Sequence, residues 1–208
     1  MNKFLTSALV CIFLSSCAAW RVQQTVITDD FKHQLNKEPN KIKLFLSVSG
    51  YEYTENGEKA ELRFEKIPEL LKIVKKAYVE SDLFELVKEE KLSDIQAMVE
   101  LKHNVIKNKT LDIVSPATLF LVPSKKIDEV YLKTTFYTGA NEKVENILGE
   151  IEKEEQIKTY RQLFLVFVMP FKPPFNIFEE TLVDLNRSTL LEANDEGMFV
   201  QKIVQNVD

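Results

Sequence analysis

Apolar residues first fall into a clear rhythm at Ile42, Leu44, Leu46 and Val48, which alternate with Lys43, Phe45, Ser47 and Ser49. A repeat of two sends successive side chains to opposite faces, so this stretch is expected as a strand with one face on a core. Asn56-Gly57 then supplies a turn. The period changes to that of a helix over about 67–81. Ile67, Leu70, Leu71, Val74, Ala77 and Tyr78 form one stripe, while Lys72, Lys75, Lys76 and Glu80 face water. Pro68 fits the first turn, where its missing N–H costs nothing. Ser81-Asp82 lead into a short strand from Leu83 to Val87.

Asp94 to Val105 carries the cleanest alternation. Ile95, Ala97, Val99, Leu101, His103 and Val105 share one face; Gln96, Glu100, Lys102 and Asn104 share the other. A further strand from about Glu129 to Tyr137, a turn at Thr138-Gly139-Ala140-Asn141 and a strand over about 143–157 make a hairpin. A last helix is expected to start at Asn176. Glu179 stands three residues on, as in a capping box, and Phe178, Thr181, Leu182, Leu185 and Thr189 recur at helical spacing. It should end before Asn194-Asp195-Glu196-Gly197, leaving Met198 to Val204 as a final strand or docked tail. The order β-α-β-β-β-β-α implies an α+β fold in two layers, a mainly antiparallel sheet with helices packed on one face. One such domain is expected over residues 41–208.

The first residues change the picture of where this domain works. Met1-Asn2-Lys3 is followed by an apolar run from Phe4 to Leu14 and then by Ser15-Ser16-Cys17. A short basic start, an apolar core and small residues before a cut site describe a secretory signal. The run is too short to span a bilayer, which takes about 20 apolar residues. Leu14-Ser15-Ser16-Cys17 resembles the lipobox of bacterial lipoproteins: an aliphatic residue, two small ones, then the cysteine that receives diacylglycerol. The resemblance implies a signal peptide over 1–16 and membrane anchoring through lipid on Cys17, with palmitate-class acyl chains. Polar residues over 17–40 are expected as a tether. Ala18 stands where an aspartate signals inner-membrane retention in enterobacterial lipoproteins, so the resemblance points to the outer membrane of a bacterial cell envelope. Cys11 would leave with the leader, so no disulfide is available and stability must come from the core.

Composition narrows the function classes. The chain has 208 residues, 27 basic against 32 acidic, and a formal charge of −5. An acidic balance argues against general nucleic-acid binding, which needs a basic footprint. Five glycines and seven prolines among abundant apolar residues give a globular composition. The sequence Ser81-Asp82-Leu83-Phe84-Glu85-Leu86-Val87, between an amphipathic helix and a long alternating strand, is similar to a half-domain of periplasmic lipoproteins. Apolar segments ending in proline at Thr118–Pro123 and Gln162–Pro170, around a hairpin, resemble uncharacterised envelope α+β lipoproteins. That resemblance covers about residues 62–190 and implies no catalytic residue.

Candidate chemistry is sparse. His33 falls in the expected tether and His103 on an apolar strand face, with no partner at metal-ligand spacing. No serine sits in a nucleophile elbow and no Gly-rich phosphate loop exists. Glu150, Glu152, Glu154 and Glu155, then Glu179, Glu180 and Asp184, are expected as solvated or helix-capping carboxylates. Lys125-Lys126 could touch phosphate or lipid headgroups, but after a proline they are expected to mark a loop. Neither a catalytic residue nor a cofactor nor a metal is expected. The anomaly is Leu163 to Phe171, an unbroken apolar run closed by Lys172-Pro173-Pro174. A central buried strand is one reading; an exposed patch for a partner or membrane is the other. Phe167, Met169 and Phe171, beside Val122, are the candidate contact surface. The expectation is a non-enzymatic envelope lipoprotein that binds a protein partner or assists envelope assembly or transport. The alternatives are a binder of lipid or lipoprotein cargo, and a glycan hydrolase that pairs two carboxylates.

Overall fold

A computed structural model describes residues 17–22, 31–35, 41–58, 61–118, 120–139, 146–162 and 176–199. Strand β1 (Cys17–Arg21) and a single-turn helix α1 (Phe31–Gln34) precede β2 (Ile42–Glu55) and β3 (Glu61–Leu62). Helix α2 (Ile67–Glu80), β4 (Phe84–Val87), β5 (Ile95–Lys107) and α3 (Lys109–Ala117) follow. The hairpin β6 (Ser124–Thr138) and β7 (Ile147–Arg161) and helix α4 (Ile177–Asp195) complete the described part.

The strands form one mixed sheet in the order β1-β7-β6-β5-β2-β3, with β4 also paired to β2. Pairings β1/β7, β2/β3, β5/β6 and β6/β7 are antiparallel. Pairings β2/β4 and β2/β5 are parallel. The fold is α+β, as the alternation implies. Its parallel part has a simple cause. Parallel neighbours cannot be joined by a tight turn, and the connection through α2 is the crossover that lets β4 run beside β2 in the same direction.

The helices cover one face. Helix α2 packs on β2 and β4, α4 packs on β1, β6 and β7, and the two helices touch each other. Leu44 and Leu46, Val99 and Leu101, Leu132 and Phe136, and Ile151 and Ile157 meet Leu70, Val74 and Tyr78 of α2 and Leu182, Leu185 and Leu190 of α4. Each leucine buried there contributes about 1.5–3 kcal/mol. The expected stripe of α2 is the buried one, with Leu70, Val74, Ala77 and Tyr78 inside. Met198 and Phe199 dock after α4. Phe199 meets the edges of Phe84 and Phe136 at 5.2 and 5.5 Å. Gly149 of β7 makes room for this tail, since a Cβ there would lie 2.1 Å from Met198 Cε.

Three local expectations differ from the structure. Residues 17–21, inside the span expected as a tether, form edge strand β1, with Ala18 and Ala19 buried; Phe31 and Leu35 are buried too. The capping box at Asn176 does not form. Asn176 is left-handed (φ 63°) and makes no side-chain cap, although its carbonyl accepts the Glu180 N–H at 2.9 Å. Lys125 and Lys126 lie within β6 rather than in a loop. Helix α3 was not legible in the pattern; Asn108 caps it, its Oδ1 accepting from the Leu111 N–H at 3.1 Å.

Candidate functional site

Among the described residues, no helix packs on the second face of the sheet, and polar side chains run across it in rows set by the strand register. In one row Thr54 faces Asn104, Asn104 faces Glu129, and Glu129 faces Gln156. Thr54 Oγ1 donates to Asn104 Oδ1 at 2.8 Å and Asn104 Nδ2 donates to Glu129 Oε2 at 2.9 Å. Gln156 Nε2 donates to the other Glu129 oxygen at 3.1 Å. Four strands are thus joined by one chain of side-chain bonds, and both oxygens of Glu129 are held. The next row runs Glu52, Lys102, Tyr131, Glu154. Lys102 Nζ lies 5.7 Å from the centre of the Tyr131 ring and 4.0 Å from Glu52. The two rows line an open trough of about 530 Å³.

The charge of this face is lopsided. Lys133 pairs with Glu150 at 2.8 Å, and that bond raises the lysine above its ordinary value, helped by Glu100 and Glu152. Burial and then the Glu152 carboxylate push the Tyr131 phenol up to about 12. Carboxylates therefore dominate the field from β2 to β7, and a cationic group entering the trough meets Glu52, Glu129 and Glu154. Tyr131 supplies an aromatic surface among them.

His103 belongs to the opposite face and is held on every side. Its Nε2 lies 2.8 Å from Asp128 Oδ1 and its Nδ1 lies 3.1 Å from the Tyr51 hydroxyl. A carboxylate only accepts, so Nε2 carries the proton and Nδ1 accepts from Tyr51. The ring stacks on Phe178 at 4.9 Å and meets the edge of Tyr53 at 5.4 Å. Burial raises the Tyr51 phenol to about 12. Burial also pushes the Asp128 carboxyl up, but hydrogen bonds from His103 and Lys126 and the lysine charge outweigh it, so the net shift is downward. His103 is a satisfied histidine at the edge of the core, as its place in the strand suggests. A smaller cavity of about 310 Å³ opens beside it, lined also by Thr159 and Arg161.

The carboxylates expected to be solvated divide by face. Glu150, Glu152 and Glu154 are exposed on the open side. Glu155 is 2% exposed on the helix side and takes Arg21 in a two-point bond at 2.6 and 2.5 Å. Arg21 continues to Asp184 of α4 at 2.5 Å, Asp184 to Arg187 at 3.0 Å, and Arg187 to Glu80 of α2 at 2.6 Å. Lys153 also binds Glu192 of α4. This chain of charges joins β7, β1, α4 and α2, so Glu155 and Asp184 are structural. Among the described residues, no group of three or more His, Cys, Asp or Glu side chains is placed to hold a metal ion.

Of the expected contact surface, Val122 is half-buried, its N–H donating to Thr118 Oγ1 at 3.3 Å. Phe167, Met169 and Phe171 lie outside the described residues, as does the leader. Cys17 is the first residue of β1, and His33 is exposed. The trough itself was missed by sequence reasoning. Its signal was the polar half of each alternating strand, whose register across the sheet only the fold supplies. Among the described residues, no helix is long and apolar enough to cross a membrane.

No protein-family profile matches the sequence, and no curated protein matches it. Among solved structures the chain is similar to a Xanthomonas campestris protein of the DUF330 family, with 9% identity and a TM-score of 0.43 over 83% of this chain and 95% of that one. It is similar to a hypothetical protein of Chlamydia trachomatis at 11% identity and a TM-score of 0.40, over 76% of this chain and 98% of that one. It is also similar to a DUF4136 family protein of Bacteroides thetaiotaomicron at 8% identity and a TM-score of 0.29, over 86% and 95% of the two chains.

Proposed function

We propose that this chain is a lipid-anchored protein of the bacterial envelope whose open sheet face binds a basic protein partner, and that its role is binding and assembly rather than catalysis. The trough across β2, β5, β6 and β7 carries this reading. It offers pre-ordered acceptors on Glu129, further carboxylates on Glu52 and Glu154, and an aromatic ring at Tyr131. Rows of side chains fixed by strand register cost little entropy to use, which favours a platform for an extended basic surface. The lipobox motif Leu14-Ser15-Ser16-Cys17 supplies the anchor.

The test has two arms in the native host. Lipid mass on Cys17 should be found by mass spectrometry, and Cys17→Ala should move the protein from the detergent to the aqueous phase. A photo-crosslinking residue in place of Tyr131 should trap a protein adduct that disappears with Glu129→Lys and Glu154→Lys at unchanged melting temperature. An anchored protein that yields no adduct from Tyr131 refutes the platform; a Cys17 without lipid refutes the anchor.

A further inference from the structure

The start of β1 leaves no slack between the lipid and the sheet. Cys17 is itself a strand residue, paired with Arg161 of β7, which in turn pairs with Ser124 of β6. Neighbouring strands lie about 4.8 Å apart, so the ends of β7 and β6 stand within about 10 Å of the anchoring residue. Arg21, four residues on, is locked to Glu155 and Asp184 and keeps β1 in place.

This end of the sheet is chemically unlike the rest. Lys125 and Lys158 form no ion pair among the described residues, and Arg161 reaches Asp112 only at 3.9 Å. Trp20 stacks on Tyr160 at 4.9 Å, and Lys125 stands 5.7 Å from the centre of the same ring. Helix α3 and the turn after it, which join β5 to β6 at this end, expose Ile113 by 73% and Leu121 by 63%. The exposed acids of β7 lie the other way along the strand, Glu154 being seven residues from Arg161, about 23 Å along an extended strand, while Glu129, bonded to Gln156 two residues from Lys158, marks the near end of the trough. A chain of net charge −5 is therefore basic, aromatic and locally apolar where its anchor attaches.

We infer that this end docks on the membrane that holds the Cys17 lipid and contacts anionic phospholipid headgroups. The inference rests on the anchor reading above. Tryptophan and tyrosine favour the headgroup layer because each ring is apolar with one polar edge. Lysine and arginine are drawn to anionic headgroups, and their stems lie along apolar surface. Ile113 and Leu121 face the acyl boundary. The acyl chains on Cys17 supply the affinity, and this surface sets orientation, standing the sheet so that the acidic trough points away from the bilayer.

Trp20 is the single tryptophan of the chain and serves as the probe. The full-length protein, with lipid on Cys17 verified by mass, is reconstituted into vesicles of phosphatidylcholine and phosphatidylglycerol that include a phospholipid with a nitroxide headgroup. At least half of the Trp20 emission should be quenched. Quenching should fall by more than half in vesicles without phosphatidylglycerol. It should fall equally with Lys125→Glu plus Lys158→Glu, which should leave the melting temperature and vesicle attachment unchanged. Unquenched Trp20 in attached wild-type protein overturns the docking, and so does quenching that ignores both the lipid charge and the lysine changes. Absence of lipid mass on Cys17 is a separate result that overturns the anchor and the docking together.

Discussion

The two faces of the sheet are built from the same strands, residue by residue, and hold charge in opposite ways. On the open face Glu150, Glu152 and Glu154 are exposed and Glu129 is half-buried; Glu150 takes a single lysine, Glu129 two neutral amides and Glu152 the Tyr131 phenol. On the helix face Glu155 and Asp128 are both nearly fully buried, and each is bonded by two or more donors. A charge in water loses little when its partner goes, whereas a buried charge left alone loses both the bond and its hydration. Charge count alone therefore says little about which acids matter; the side of the strand decides.

The largest effect is expected from Arg21→Ala. It leaves Glu155 and Asp184 without their shared cation, and a cost of about 3–5 kcal/mol is expected from urea unfolding. An exposed acid of the same strand, in Glu154→Ala, should cost under about 0.5 kcal/mol. Nearly as large is the contrast between adjacent residues of β5. Leu101→Ala should cost about 2–5 kcal/mol, because Leu101 lies beneath the helices at 3% exposure. Lys102→Ala, one residue on and on the other face, should stay within about 0.5 kcal/mol.

A smaller effect concerns pH. The Asp128 carboxyl is held below the ordinary carboxylate range by His103 and Lys126, against the upward push of burial. Its folded-state value is depressed, so its contribution is present above the unfolded value and lost as pH falls through the folded one. Asp128→Asn should therefore cost about 1–3 kcal/mol at neutral pH. The gap to wild type should close only in acid below the ordinary carboxylate range, as followed by denaturation from pH 7 to pH 2. Exposed Glu150→Gln should leave that acid limb unchanged. The smallest effect sharpens the open face. Glu152→Gln should leave stability within about 0.5 kcal/mol. It should bring Tyr131 down from about 12, as read by NMR titration of labelled tyrosine.

Much of this architecture was legible where one strand or helix signals by itself. The alternation from Ile95 to Val105, the stripe of Leu70, Val74 and Tyr78, and the hairpin around Gly139 each depend on neighbours in sequence. Gly139 is also required for a reason outside its own turn, since a Cβ there would strike the carbonyl of the distant Ser93 at 2.0 Å. What escaped depends on distant partners. Cys17-Ala18-Ala19-Trp20-Arg21 has small residues on both faces, and its role becomes visible only beside β7, with Arg21 bonded to a residue 134 positions away. Alternation at Leu44 and Leu46 is the same whether a strand runs parallel or antiparallel. The strand-helix-strand order around α2 permits a parallel β4 without dictating it, since β3, directly before α2, runs antiparallel to β2. The trough residues read as ordinary solvated positions because Asn104, Glu129 and Gln156 are far apart in sequence, and only register brings them into one row.

The position of β1 also imposes an order of events. A chain made from its N-terminus presents residues 17–21 long before residues 157–161, the only strand with which they pair among the described residues. Until β7 arrives, the backbone around Cys17 is an open edge without a ladder, accessible to enzymes that need an extended peptide. Once β7 is in place and Arg21 has closed on Glu155 and Asp184, that access ends. In the lipoprotein proposed above, processing at residue 17 would therefore precede completion of the sheet. A variant that weakens β1 pairing, such as Arg21→Ala, lengthens the interval in which the edge stays open to modification, proteolysis and pairing with other chains.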